Sequence, residues 1–323
     1  MVAVLNDRAL SNALASTLAC EAQPAGLVEL LERHPNDRSS TFESEVVTCR
    51  LADGRELKLL CKYERFRHSN IRDHGSWGHR RGDGYEAEVY RRVLRPLGAA
   101  APRFFGVYRD DETGTTCLFL EYLDGAQHPE GASTLPQAVT WLARFHRDAE
   151  PFAFNGEAVF LSRYDRSYYS GWAERTATFA EPFREQYPWV ADVCAQFAKR
   201  GAPTLEREPT VIHGEYYRKN LLMRGEQIYA IDWESCAIGA GEIDVAMLAE
   251  GWSKEQVDDI ERQYARQRWP GGPPENFAHR FALAQVYVHF RWLGDQREWT
   301  PFETWRFEEL RAASARAGLL ARE

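Results

Sequence analysis

The chain has 323 residues, of which 44% are hydrophobic and 27% are charged, and its formal net charge at pH 7 is −8. This length exceeds that of one compact core, so two lobes or domains are expected. The composition is that of a folded globular protein and argues against extensive disorder. The negative charge argues against wholesale nucleic-acid binding, which leaves a basic footprint.

The sequence also indicates the compartment. No basic stretch leads into an apolar run near the N-terminus, and no segment approaches 18 uninterrupted apolar residues, so neither export nor membrane insertion is expected. The cysteines are scattered without the close pairs of a zinc or redox motif, at Cys20, Cys49, Cys61, Cys117, Cys194 and Cys236. We therefore expect a cytoplasmic protein with reduced, mostly buried thiols.

The first third of the chain is predicted to be rich in strands. Residues 1–35 form a leading helical region in this interpretation, because Leu10, Leu14 and Leu18 are spaced by four. A helix is also predicted between the later strands, over residues 85–94. The predicted strands cover residues 42–51, 56–63, 104–108 and 115–122, and the first two flank a Gly-containing hairpin turn.

Between the second strand and this helix lies a segment, residues 65–84, that is rich in arginine, histidine and glycine. The favoured interpretation is a flexible solvated loop. The alternative is a lid that closes on phosphates or on an acidic substrate, since arginine binds phosphate through two parallel hydrogen bonds. The spacing of its three histidines argues against a zinc site.

The remainder of the chain is predicted to be helical. Helices are expected over residues 135–148, 164–180 and 189–199 and from residue 252 onwards, interrupted by a strand pair formed by the segment around Val211 and residues 228–233. A strand-rich first third followed by a helix-rich remainder predicts a bilobal α+β protein with lobes at 1–122 and 123–323. The cleft between lobes is the expected ligand site.

The interruption carries the clearest chemical signal. Glu215, Asn220 and Asp232 follow one another in the order of a phosphoryl-transfer site, in which a carboxylate orients the attacking hydroxyl and two oxygen ligands hold Mg²⁺. The alternative is a plain turn at the His-Gly-Glu tripeptide with Asn220 as a cap.

These residues belong to a wider pattern. His213-Gly214-Glu215 with Asn220 resembles the His-Gly-Asp-x4-Asn catalytic loop of the aminoglycoside phosphotransferase and choline kinase-like family, with Glu where the family has Asp. Three further segments are similar to family elements: the metal-binding segment, the Gly-x-x-Asp-x-Ala element and the helix before the catalytic loop. They are Ile231-Asp-Trp-Glu, Gly241-Glu-Ile-Asp-Val-Ala and Leu142-Ala-Arg-Phe-His.

The resemblance implies a protein kinase-like fold, a five-stranded N-lobe over a helical C-lobe, with ATP and Mg²⁺ between them. On that template Lys62 contacts the α- and β-phosphates and Glu86 pairs with it; Lys58 and Glu88 are the competing choices. Asn220 and Asp232 are the implied metal ligands.

The resemblance also places the rest of the nucleotide site. Backbone groups of Glu121, Tyr122 and Leu123 would read adenine at the hinge between lobes. A clear Gly-rich phosphate loop is missing, and Ser39 and Ser40 stand in its expected place. Of the neighbouring residues, His213, His146 and Asp244 are expected to be structural, and Glu234 a contact around the metal or the substrate.

Glu215 is the main departure from the family pattern. Glu and Asp differ by about half a pKa unit, so basicity is preserved. The extra methylene moves the carboxylate by roughly 1 Å, a misplacement that can cost about 100-fold in rate. Either the site is rebuilt around the longer side chain, which we favour, or transfer is impaired.

The acceptor is the least specified element. Aromatic residues from 287 to 307 suit helix packing first, but some could line a pocket in which nearby carboxylates favour a cation; the residues concerned are Trp292, Trp299, Trp305, Asp295, Glu298, Glu303, Glu308 and Glu309. The sequence thus predicts an ATP- and Mg²⁺-dependent O-phosphotransferase for a small hydroxylated molecule such as an aminoglycoside, amino sugar, sugar or amino alcohol. The alternative is a kinase-like nucleotide-binding or regulatory protein with impaired transfer.

Overall fold

A computed structural model describes residues 5–19, 28–36, 42–64, 84–110, 114–154, 156, 158–298 and 300–320. The segment 65–83, Ser39, Ser40, Cys20 and Trp299 lie outside this part of the chain. None of the helices formed by the described residues is both long and apolar enough to cross a membrane.

The N-terminal part is an antiparallel five-stranded sheet in the order β1-β2-β3-β5-β4. The strands are β1 Glu29–Pro35, β2 Glu43–Arg50, β3 Glu56–Glu64, β4 Phe104–Asp110 and β5 Thr115–Glu121. The predicted hairpin joins β2 to β3, and its Gly54 has φ +83°. The four predicted strands are confirmed within a few residues.

A helix covers one face of this sheet. Helix α1, Asp7–Ala19, buries Leu10, Leu14 and Leu18 against the apolar side chains of the strands. The helical prediction is confirmed there but wrong further along, because Glu29–Pro35 is strand β1. Strand pairing with β2 and the ion pair of Arg33 with Glu45 (2.8 Å) override the helical preference of its Glu-Leu-Leu-Glu-Arg run.

The helix predicted over 85–94 forms in three connected pieces. Helix α2, Tyr85–Val89, continues as a π-helical turn, Tyr90–Leu94, and ends with one α-helical turn, Arg95–Leu97. It buries Val89, Val93 and Leu94 together with the carboxylate of Glu86, whose exposed fraction is 0%. Burial of a charge at this level requires a partner.

The rest of the described chain is mainly helical and surrounds one large apolar core. Its helices are α3 Leu135–Ala149, α4 Arg166–Ala180, α5 Val190–Gln196, α6 Glu242–Leu248, α7 Lys254–Arg268, α8 Phe277–Leu293 and α9 Trp305–Arg316. Helix α5 continues through a π-helical turn, Phe197–Gly201, into a last α-helical turn, Ala202–Leu205. Together with the sheet this confirms the predicted α+β class.

Two small sheets interrupt the helices. One has the order β6-β10-β7, and the other is the hairpin of β8 with β9. Their strands are β6 Ser162–Arg163, β7 Thr210–Ile212, β8 Leu221–Arg224, β9 Gln227–Ala230 and β10 Ala237–Gly239. The prediction that the segments at Val211 and Ile228 pair with each other is wrong, because β7 pairs with β10 and β9 pairs with β8.

The contact between α1 and the sheet depends on a glycine. Gly106 lies in β4 with φ +144°, and a Cβ atom added there would lie 2.2 Å from Cγ2 of Thr17. A β-branched side chain cannot swing that methyl away cheaply. Gly114, also at positive φ, has no atom within 4 Å of such a Cβ.

We therefore expect Gly106→Ala to lower the free energy of unfolding by about 1–3 kcal/mol more than Gly114→Ala. Overpacking contributes, and φ +144° at Gly106 lies outside the small left-handed region that includes φ +66° at Gly114. Denaturant unfolding of the two variants measures the difference. Adding Thr17→Ser to Gly106→Ala removes the clashing methyl and should recover part of the loss; equal losses in the two single variants would contradict the packing argument.

A histidine on helix α8 makes the stability of the fold depend on pH. His289 is partly buried, and burial, together with the positive charges of Arg306 and Arg316, lowers its pKa from 6.5 to about 3. The unfolded imidazole takes up a proton near pH 6.5 and the folded one does not. Stability is therefore lost as the pH falls below 6.5.

Between pH 7 and pH 5 this one group should cost about 2 kcal/mol of unfolding free energy. His289→Gln cannot take up the proton, so the difference in stability between the two pH values should shrink by about that amount in denaturant unfolding. A variant that keeps the full pH dependence of the wild type would contradict the assignment.

Candidate active site

The site is built around a loop between β7 and β8. His213, Gly214 and Glu215 follow the last residue of β7, and a 3₁₀ turn, Arg218–Asn220, leads into β8. Gly214 has φ +82°, and a Cβ there would lie 2.2 Å from the carbonyl oxygen of Ser235. Only glycine allows the loop to approach the following segment this closely.

A buried carboxylate on α6 holds this loop. Asp244, with an exposed fraction of 0%, accepts hydrogen bonds from the backbone N–H groups of His213 (2.7 Å) and Gly214 (2.9 Å). It also accepts one from Nε2 of His146 at 3.0 Å. The expectation that Asp244 satisfies backbone donors of the loop is confirmed by this geometry.

Two histidines brace the loop. His213 donates through Nε2 to the carbonyl oxygen of Ile231 at 2.9 Å and so joins the loop to the segment that carries Asp232. His146 is buried between Asp244 and Tyr264, whose hydroxyl donates to Nδ1 at 2.7 Å. Burial lowers the pKa of His146 despite the neighbouring carboxylate, which favours the neutral ring.

Glu215 is buried in the loop, with an exposed fraction of 4%. Its Oε1 accepts a hydrogen bond from Nη2 of Arg291 on α8 at 3.0 Å. The same guanidinium donates through Nη1 to the carbonyl oxygen of Gly214 at 2.6 Å. The sequence analysis missed Arg291; the available signal was an arginine in the predominantly apolar second half of α8, because a buried charge needs a partner.

Asn220 and Asp232 lie beside this loop. Nδ2 of Asn220 donates to the backbone oxygen of Glu215 at 2.9 Å, and the carbonyl oxygen of Asn220 accepts from the N–H of Ile231 at 3.0 Å. Asp232 has left-handed backbone angles, φ 67° and ψ 65°. Such a conformation is uncommon outside glycine and is typical of functional segments.

A lysine of the sheet connects three separate segments. Nζ of Lys62 on β3 donates to Oε2 of Glu86 at 2.7 Å and to Oδ1 of Asp232. Oε1 of Glu86 accepts from the N–H of Trp233 at 3.1 Å. Burial alone would lower the pKa of Lys62, but the negative charges of Asp232, Glu86 and Glu234 outweigh it and hold the pKa well above its usual value.

The competing residues lie elsewhere. Lys58 pairs with Asp124 at 3.1 Å, and both side chains are exposed. Glu88 pairs with Arg91 at 2.9 Å on the exposed side of α2. The geometry therefore brings Lys62 and Glu86 to the loop and leaves Lys58 and Glu88 outside it.

Three carboxylates converge where a cation is expected. One oxygen each from Glu215, Asp232 and Glu234 lies within 4.8 Å of the others. Carboxylate oxygens are the ligands that Mg²⁺ prefers, and the side-chain oxygen of Asn220 is of the same hard type. The donor set fits a divalent cation, and it includes Glu234, which the sequence analysis expected as a contact around the metal or the substrate.

The predicted hinge residues are the last residue of β5 and the two residues after it. Two of their N–H groups are already bonded, that of Glu121 to the carbonyl oxygen of Arg103 (2.7 Å) and that of Tyr122 to that of Lys58 (3.2 Å). The side chain of Leu123 is buried. Reading of adenine by this segment stays a prediction, as does the phosphate-loop role of Ser39 and Ser40, which lie outside the described residues.

The aromatic region predicted for the acceptor already contains its own cation. The guanidinium of Arg306 lies 4.3 Å from the ring centroids of both Trp292 and Trp305. Arg306 also pairs with Glu303 at 2.7 Å and with Glu250. These rings and carboxylates are therefore engaged within the protein.

The architecture is similar to that of solved small-molecule kinases. A mutant of aminoglycoside 2′-phosphotransferase-IIIa in complex with GDP has a TM-score of 0.62 at 13% identity, covering 96% of this chain and 99% of that one. Choline kinase LicA from Streptococcus pneumoniae has 0.60 at 13%, covering 96% and 98%. Macrolide 2′-phosphotransferase type I has 0.54 at 17%, covering 99% of each chain. The likeness confirms the predicted bilobal, protein kinase-like fold.

The three bonds at Asp244 generate a prediction. In Asp244→Asn the charge is lost and the amide nitrogen faces donors, so we expect the free energy of unfolding to fall by about 3 kcal/mol. Denaturant unfolding measures the loss. The control is Asp258→Asn, which removes an exposed ion pair with Lys254 and should leave stability nearly unchanged; equal losses would show that Asp244 does not hold the loop.

Comparison of the sequence with protein families agrees with the similarity in fold. No curated protein matches the sequence. The model of the phosphotransferase enzyme family (APH) matches residues 84–275, more than half of the chain, including α2, the loop at His213 and the segment at Asp232. The chain therefore belongs to the phosphotransferase enzyme family, the small-molecule kinases whose catalytic-loop pattern its sequence resembles.

Proposed function

We propose that the protein is an ATP- and Mg²⁺-dependent O-phosphotransferase that acts on a small hydroxylated molecule. The observation that carries the proposal is the contact of Lys62 with both Glu86 and Asp232 beside the loop of Glu215. Phosphoryl transfer needs a cation on the phosphates, a metal held by oxygen ligands and a group that orients the hydroxyl. Residues that could supply each of these parts lie together here, which supports the proposal.

Each residue has a proposed role. Glu215 accepts the proton of the acceptor hydroxyl and orients it, and Lys62, fixed by Glu86, binds phosphate oxygens. Asn220 and Asp232 hold Mg²⁺, and Glu234 offers a further oxygen. The metal, when bound, would neutralise negative charge on the phosphates.

The contact of Lys62 with Asp232 suggests how the site prepares for nucleotide. The ammonium and the carboxylate neutralise each other. A phosphate that takes over the ammonium leaves the carboxylate available to a cation, so nucleotide and metal should bind cooperatively. Solved proteins of similar fold include complexes with GDP and with AMP, which supports nucleotide use in general and leaves ATP as our proposal.

The similar proteins support only a broad class of acceptor, a small molecule. An aminoglycoside, amino sugar, sugar or amino alcohol remains the proposed range. A cationic acceptor has less support than the sequence suggested, because Arg306 already occupies the aromatic rings of Trp292 and Trp305. The lobe boundary after residue 122 and a cytoplasmic location also stay predictions.

A second candidate rests on one observation. The carboxylate of Glu215 is paired with Arg291, whose guanidinium occupies one oxygen of the proposed base. A nucleotide-binding or regulatory protein with impaired transfer would show the same pair. The two candidates differ in acceptor-dependent turnover.

We expect purified protein with Mg-ATP to transfer phosphate to at least one member of a panel of hydroxylated small molecules, measured by acceptor-dependent ADP release. Glu215→Gln keeps the size of the side chain but cannot take up the proton, so turnover should fall by at least about 100-fold while ATP binding, measured by calorimetry, persists. ATP binding without turnover in the wild type would favour the second candidate, and absence of both would contradict the proposal.

A matched pair of lysine variants tests the nucleotide part. Lys62→Met removes the buried ammonium and should lower kcat/KM for ATP by about 100-fold or more. Lys58→Met removes an exposed ammonium from the same strand and should leave kcat/KM for ATP close to that of the wild type. Equal effects would contradict a specific role for Lys62.

A further inference from the structure

Helix α8 carries a buried arginine that no catalytic-loop pattern includes. Arg291, with an exposed fraction of 7%, lies near the C-terminal end of this helix. Its Nη1 donates to the carbonyl oxygen of Gly214 at 2.6 Å and its Nη2 to Oε1 of Glu215 at 3.0 Å. One rigid guanidinium thus holds both the main chain and the side chain of the proposed base.

The surroundings of Arg291 restrict its position. Its guanidinium lies 6.0 Å from the ring centroid of Trp172. Burial of the side chain and two hydrogen bonds to the loop restrict the planar head, so the carboxylate oxygen that it binds is held as well.

Two buried charged side chains hold the loop, one through its N–H groups and the other through a carbonyl oxygen. Asp244 accepts from the N–H groups of His213 and Gly214, and Arg291 donates to the carbonyl oxygen of Gly214. Within this loop Asp244 contacts backbone N–H groups, whereas Arg291 also binds the carboxylate of Glu215. The bond to the carboxylate is therefore the contribution that Asp244 cannot make.

This bond depends on side-chain length. Glu extends one methylene further than the Asp of the family pattern, a difference of roughly 1 Å that is large on the scale of catalytic alignment. A shorter carboxylate on the same backbone would fall short of a guanidinium that is itself fixed. The length of the residue at 215 and the position of Arg291 are therefore matched.

We propose that Arg291 is a positioning residue that fixes the carboxylate of Glu215 for the acceptor hydroxyl, so that the two residues act as a unit and Glu cannot be replaced by Asp. This inference rests on the proposed phosphotransferase function. It predicts that restoring the family residue, by Glu215→Asp, lowers activity.

The experiment uses the full chain, Mg-ATP and the acceptor that the wild type turns over best. Arg291→Met, Arg291→Lys, Glu215→Asp and the double variant Glu215→Asp/Arg291→Met are compared by kcat and by KM for ATP. Arg291→Met and Glu215→Asp should each lower kcat by about 100-fold, with KM for ATP within about threefold of the wild type. Arg291→Lys keeps the charge but loses the two-pronged contact, so its kcat should be intermediate.

The double variant is decisive. Residues that act as a unit are not additive, so its kcat should lie within about threefold of the lower single variant. Multiplied losses would overturn the proposal, and so would a kcat within about threefold of the wild type in both Arg291 variants. Absence of turnover in the wild type would instead refute the proposed function.

A second buried arginine on the same helix provides the matched control. Arg280 bonds Glu242 at 2.8 and 3.0 Å and lies eleven residues before Arg291, about 16 Å along the helix axis. Arg280→Lys should lower the melting temperature but leave kcat of the folded protein within about threefold of the wild type. A loss of kcat equal to that of Arg291→Lys would reduce Arg291 to a structural role and overturn the proposal.

Discussion

The interaction on which the site depends is the contact of one ammonium with two carboxylates. Lys62 lies on the central strand of the sheet, Glu86 on the helix that follows and Asp232 in the helical part of the chain. Burial of the Lys62 and Glu86 charges is costly without partners, and the contact among the three groups offsets that cost. The contact therefore sets the position of α2 and of the Asp232 segment relative to the sheet, and Glu86 extends it to the backbone of Trp233.

The second constraint is the geometry of the loop at Glu215. Asp244 fixes its amides, His213 ties it to Ile231, and Gly214 permits the close approach to Ser235. A backbone held this firmly cannot shift to accommodate a longer side chain. The extra methylene of Glu must then be accommodated by the groups around the carboxylate, and Arg291 is the side chain that bonds it.

Much of this arrangement could be predicted from the sequence, because local patterns determine it. Lys62, Glu86, Glu215, Asn220 and Asp232 belong to short motifs, and the structure brings them together. Strand β1 was mistaken for part of a helical region because its pairing with β2 overrides the preference of a Glu- and Leu-rich run. The wrong pairing of Val211 with Ile228 has a similar cause, since the partner of β7 is β10, which comes later in the chain.

Arg291 shows why some functional contacts cannot be predicted from motifs. It lies 76 residues after Glu215, on a helix whose apolar pattern indicates only packing, and nothing in the spacing specifies which buried group it meets. The same limit applies to the acceptor region, where the guanidinium of Arg306 lies 4.3 Å from the ring centroids of Trp292 and Trp305. There a pattern of aromatic and acidic residues indicated a site for an external cation, but an internal arginine satisfies the same chemistry. Composition can indicate that a group of residues favours a cation, whereas only the packed structure determines whether the protein or its substrate supplies that cation.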